Sequence, residues 1–169
     1  MKKFLPVVII SITLSILPTS AIAAETNPYG TSTVDPAGPN EIIFTISKGE
    51  KTAQFATSRL FKLKTSEITI YEPFLKKRQT FSVIPISTFF KMVGIKGNDQ
   101  VLTTALNDYV FKAKASQFIA AEALIAIKRD GKEIPYDQGG PIRIIFGSKS
   151  TWAKYLDAWN WSLSSITVK

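Results

Sequence analysis

From residue 42 onward, apolar and polar positions alternate in short runs, and that two-residue period predicts strands. Ile42-Ile43-Phe44-Thr45-Ile46 is the first run, closed by the turn residues Lys48-Gly49-Glu50. Between Thr52 and Leu63 the spacing of Phe55, Leu60 and Leu63 predicts a short helix or turn leading into the β-rich Ile68-Thr69-Ile70-Tyr71. Phe74 to Gln79 reads as a basic connection and Thr80 to Ile84 as a strand. Pro85 then opens a helix whose apolar face is Ile86, Phe89, Phe90 and Val93 and whose stop is Gly94. Val101 to Ala105 and Tyr109 to Ala113, joined by Asn107-Asp108, predict a hairpin, and Ser116 is placed to cap a short helix through Ala121. Further on come a strand from Leu124 to Lys128, a tight turn at Asp130-Gly131, and a second turn at Gly139-Gly140-Pro141 before a strand from Ile142 to Phe146. A short helix around Thr151 to Ala158 and a last strand from Trp161 to Val168 complete the pattern. Strands outnumber helices and connections are short, so the predicted class is α+β: a single mainly-β domain with short helices.

The pattern before residue 41 is of another kind. Met1-Lys2-Lys3 is charged, Phe4 to Leu17 is apolar apart from Pro6, Ser11, Thr13 and Ser15, and Ala21-Ile22-Ala23 offers small residues, which is the order of a secretory signal peptide. The apolar run is shorter than the roughly 20 residues needed to span a bilayer, and Pro18 follows it. Glu25 to Asn40 is rich in Pro, Gly, Thr and Ser with no apolar period. The expected organisation is a signal peptide over 1–23, a flexible arm over 24–40 and one domain over 41–169, placed in the periplasm or secreted by a Sec-type leader.

Composition narrows the chemistry. The chain has no Cys and no His, so disulfides, thiol chemistry and the usual zinc, copper, haem and iron–sulfur ligand sets are excluded. Serine nucleophiles lack an imidazole base, and neither Ser-x-x-Lys nor Gly-x-Ser-x-Gly occurs, which argues against the familiar hydrolases. The formal charge of +8 permits an anionic partner such as a headgroup or phosphorylated ligand. Only Lys76-Lys77-Arg78 forms a basic run, however, and scattered charges equally make a solvated surface. Nucleic acid is not an expected partner.

Three clusters are candidates for a site. In Gly139-Gly140-Pro141-Ile142-Arg143, glycines allow close approach to a ligand and Arg143 can pair with an anion, or the element is a turn with Arg on an exposed strand face. Asn107, Asp108 and Tyr109 can line a pocket or make the turn that Asn and Asp favour. Trp152, Tyr155, Trp159 and Trp161 can stack on a planar ligand or fill a core, with Lys149, Ser150 and Thr151 at the predicted helix start. The candidate pocket is therefore Asn107, Asp108, Tyr109, Arg143, Lys149, Trp152 and Trp161.

Taken in order, Phe81 to Ser87, Ala105 to Tyr109, Ile127 to Lys132, Gly139 to Arg143 and Trp159 to Leu163 resemble the sulfite oxidase-type, molybdopterin-binding oxidoreductase domain over Ile42 to Lys169. The resemblance implies a mixed α+β fold with a mostly β core. It also implies a cysteine thiolate on molybdenum, which this chain cannot supply, and it aligns Arg143 with an arginine near the pterin. Enzymes of that type leave the cytoplasm folded behind a twin-arginine leader, whereas Lys2-Lys3 is no Arg pair. The expectation is a non-catalytic binding or accessory module without cofactor, its pocket empty or given to a small anionic ligand. Its expected partner is the periplasmic part of a membrane signalling or redox protein. The alternative is a periplasmic molybdopterin-dependent oxidoreductase holding its cofactor through Arg143, Asn107, Tyr109 and backbone amides. A purely structural surface domain would instead pack Arg143 and Trp161 into the core.

Overall fold

The computed structural model describes residues 37–169, so the signal peptide and most of the 24–40 arm lie outside the described residues. Of that arm, Ala37 packs on the core, its N–H donating to the Tyr136 hydroxyl at 3.2 Å, and Pro39 accepts from the N–H of Ser58 at 3.1 Å.

Two sheets and three short helices form the domain. The elements run β1 (Ile42–Lys48), β2 (Lys51–Ala56), α1 (Thr57–Leu60), β3 (Ser66–Glu72), β4 (Lys77–Pro85), α2 (Ile86–Val93), β5 (Gln100–Ala105), β6 (Val110–Lys114), α3 (Ala115–Ala120), β7 (Leu124–Arg129), β8 (Arg143–Ile145) and β9 (Leu163–Val168), with 3₁₀ turns at Tyr136–Gln138 and Leu156–Ala158. One sheet has the order β2-β1-β9-β5-β6 and the other β3-β4-β7-β8. Every pairing is antiparallel except β1 with β9, which brings the chain's last strand into the middle of the larger sheet. The predicted α+β, mainly-β class is the observed one.

Burial follows the alternation. Along β3, Glu67, Thr69 and Tyr71 face solvent while Ile68, Ile70 and Glu72 face inward, and β4 sets Gln79, Phe81 and Val83 on the same side. The apolar face of α2 puts Phe89 edge-on to Phe44 and Phe55, with ring centroids 5.3 and 5.4 Å away, and Gly94 ends the helix as expected. The β5–β6 hairpin and the Asp130-Gly131 turn also stand where they were predicted.

Several boundaries differ, each for a local reason. Thr52 to Ala56 belongs to strand β2 rather than to a helix, because pairing with β1 satisfies its backbone and buries Phe55; only Thr57–Leu60 is helical. The basic connection shrinks, since Lys77, Arg78 and Gln79 pair with β3. Ser116 does not cap α3: Lys114 holds that position, its N–H donating to the Gln117 side chain at 2.9 Å, while the N–H of Ser116 donates to Gly97. From Thr151 to Ala158 the chain makes turns and one 3₁₀ turn in place of a helix, and the last strand starts at Leu163.

Candidate functional site

Glu72 ends edge strand β3 and Arg143 begins edge strand β8, with β4 and β7 between them. Both side chains are 0% exposed, and Arg143 Nη2 donates to Glu72 Oε1 at 2.7 Å. The other carboxylate oxygen accepts the backbone N–H groups of Phe74 and Leu75 at 3.0 and 2.5 Å, so the turn after β3 wraps the acid. The guanidinium lies 5.7 Å from the Phe81 ring centre and 5.2 Å from that of Trp161. Burying these two charges is tolerable only because each is paired and hydrogen-bonded.

This overturns the expectation for the Gly-Gly-Pro element. Arg143 is neither on an exposed face nor offered to an anion, because an internal carboxylate already holds it. The glycines also serve the chain itself. A Cβ on Gly140 would stand 1.8 Å from the carbonyl oxygen of Ile134, and one on Gly139, whose φ is +80°, would press on Trp161 at 3.3 Å and touch Arg143 Nη1 at 3.5 Å. The Gly140–Pro141 peptide is cis.

Trp161 also lines an open cleft of about 300 Å³. Its walls are Phe74, Trp159 and Trp161, the Phe74 ring standing edge-on to Trp161 with centroids 3.9 Å apart. Ala105, Asn107 and Tyr109 from the β5–β6 turn form one rim, and Leu156 and Asp157 form the other. The Tyr109 hydroxyl donates to the backbone carbonyl of Asp157 at 2.9 Å, joining the rims, and the N–H of Leu106 donates to Ser162 at 2.8 Å. Burial, with the Asp157 charge second, raises the Tyr109 pKa above its usual value of 10. Among the described residues no lysine or arginine lines the cleft.

Of the sequence-predicted residues, Asn107, Tyr109 and Trp161 thus meet in one place. Asp108 is exposed at the left-handed corner of the turn, φ 63°, outside the lining. Lys149 is exposed in a turn with no helix behind it, which removes the helix-start anion site. Trp152 packs among Phe111, Phe118 and Phe146 at centroid distances of 5.3 to 5.7 Å and supports the fold from behind. Phe74, Leu156 and Asp157 went unforeseen, as did Glu72. Only Glu72 left a legible signal, an acid on the inward parity of an apolar strand.

The family model of the oxidoreductase molybdopterin binding domain matches residues 51–163. The chain belongs to that family. No curated protein matches its sequence. Among solved structures, 26 chains match the fold of this molybdopterin-binding-type domain. One is the sulfane dehydrogenase SoxCD from Paracoccus pantotrophus, with 10% identity and a TM-score of 0.60. The alignment covers 79% of this chain and 39% of that one, so the domain spans well under half of the length it matches, and the likeness is one of fold. Among the described residues no helix is long and apolar enough to cross a membrane.

Proposed function

We propose that this chain is an exported, non-catalytic binding module that reuses the molybdopterin-binding fold, with the aromatic cleft beside Trp161 as its site. The observation that carries the reading is the position of Arg143. The one arginine that the resemblance placed near a pterin is 0% exposed and held by Glu72 at 2.7 Å, so it has no face to give an anionic cofactor. What remains open in the cleft is aromatic, with one carboxylate and no cation in its lining among the described residues, which opposes a phosphate-bearing ligand. With no Cys and no His in the sequence, a soft donor for molybdenum is also missing. The residues of this domain do not fit molybdopterin.

The anionic ligand that the sequence suggested loses its anchor for the same reason. Export rests on the leader pattern of residues 1–23 and would place the domain in the periplasm or outside the cell, within reach of the outer part of a membrane signalling or redox protein. A purely structural role is less well supported, because Arg143 is core-packed but Trp161 lines an open cleft. Native mass spectrometry of protein purified from the periplasm under its own leader tests the reading. The expected masses are those of the cleaved polypeptide, alone or with a small adduct free of molybdenum. A molybdenum–pterin adduct would overturn it.

A further inference from the structure

We propose that the occupant of this cleft is a small organic cation, an ammonium carrying apolar substituents. The inference rests on the binding-module reading and names the chemistry of its ligand. Trp159 and Trp161 contribute indole rings and Phe74 a third ring, and the negative faces of such rings attract cations, indole most strongly. Trp159 is 4% exposed, whereas Trp161 and Phe74 are half-buried.

The polar groups point to the same charge. Asp157 brings a carboxylate to the rim, and among the described residues no lysine or arginine is ion-paired with it. The Tyr109 hydroxyl spends its proton on the Asp157 carbonyl, which leaves its oxygen as an acceptor towards the cleft. Asn107 uses its carbonyl oxygen on the N–H of Tyr109 at 3.3 Å. An anion would find no lysine or arginine in this lining and an acidic residue among its walls. A cation finds three aromatic residues, an acidic residue and a phenol oxygen, and this lining has an acid and no base on a chain whose formal charge is +8. The volume of about 300 Å³ suits a metabolite-sized ligand and not a polymer.

The test is a titration of the mature protein with tetramethylammonium chloride, read on the Trp161 indole resonance. Sodium chloride at matched ionic strength and the neutral isostere tert-butanol serve as controls. Saturable binding of tetramethylammonium, stronger than that of tert-butanol and weakened about tenfold in the exposed-site variant Asp157→Asn, is expected. Equal binding of the alcohol, or no change in Asp157→Asn, overturns the cationic ligand and leaves the binding module standing. If neither compound moves Trp161 beyond the sodium chloride control, both the cation and the cleft as a site are overturned.

Discussion

Arg143 and Glu72 are shut away from water, paired with each other, and two backbone N–H groups donate to the second oxygen of the carboxylate. In the cleft that Trp161 also lines, Asp157, Asn107 and Tyr109 stand among aromatic walls with no counter-cation in the lining among the described residues. The two regions meet at Trp161, which lines the cleft and lies against the guanidinium. The difference is one of satisfied against unsatisfied charge. A buried pair whose charges meet each other has no charge left to offer a ligand, while an exposed carboxylate beside apolar rings keeps its capacity to attract one. A charged residue in a sequence is therefore no guide to a binding site until its partner is known.

The sharpest way to break the contrast is to remove one half of the sealed pair. Arg143→Ala strands Glu72 in the core and is expected to cost about 3–5 kcal/mol in urea unfolding, whereas Arg143→Met with Glu72→Gln, whose amide oxygen can still accept the Phe74 and Leu75 N–H groups, should recover most of that loss. A small loss in the single variant would show that water reaches the pair. Next in size is Gly140→Ala, whose new methyl cannot coexist with the Ile134 carbonyl at 1.8 Å; a loss on the order of 2–4 kcal/mol is expected by thermal melting.

On the open side the effects shrink. Tyr109→Phe removes the hydrogen bond to Asp157 across the rims, and because Tyr109 is 41% exposed the loss of stability should stay below about 1 kcal/mol. The same hydroxyl provides a pH test. Its folded pKa is raised, so its contribution to stability is complete below the unfolded value near 10 and is lost as the pH climbs from there through the higher folded value. Phenolate absorbance should show Asp157→Asn lowering the Tyr109 pKa only part of the way, since burial is the larger cause. A complete return to the ordinary value would mean that the carboxylate, and not burial, governs the cleft.

The fold class was legible because strand alternation is a local property: Ile68-Thr69-Ile70 and Thr80 to Ile84 show their inward and outward faces without reference to any partner. Helix α2 was legible likewise from Ile86, Phe89, Phe90, Val93 and the stop at Gly94. Strand β2 was not, since Thr52 to Ala56 has a weak pattern of its own and becomes a strand by pairing with β1. The turn at Asn107-Asp108 was legible, because Asn and Asp announce turns; the sequence left open whether the element also lines a pocket, and in the fold Asn107 and Tyr109 stand at the cleft.

By itself the sequence determined the mainly-β α+β class, the family likeness and the absence of any thiol or imidazole chemistry. Those follow from local periodicity, motif order and residue inventory. Only the tertiary structure decided that Arg143 meets Glu72, 71 positions away and across two intervening strands, and that Asp157 lines the cleft. The physical reason is that a charge acts over ångströms in space, and which charges come that close depends on strand order and turn geometry that no local pattern encodes.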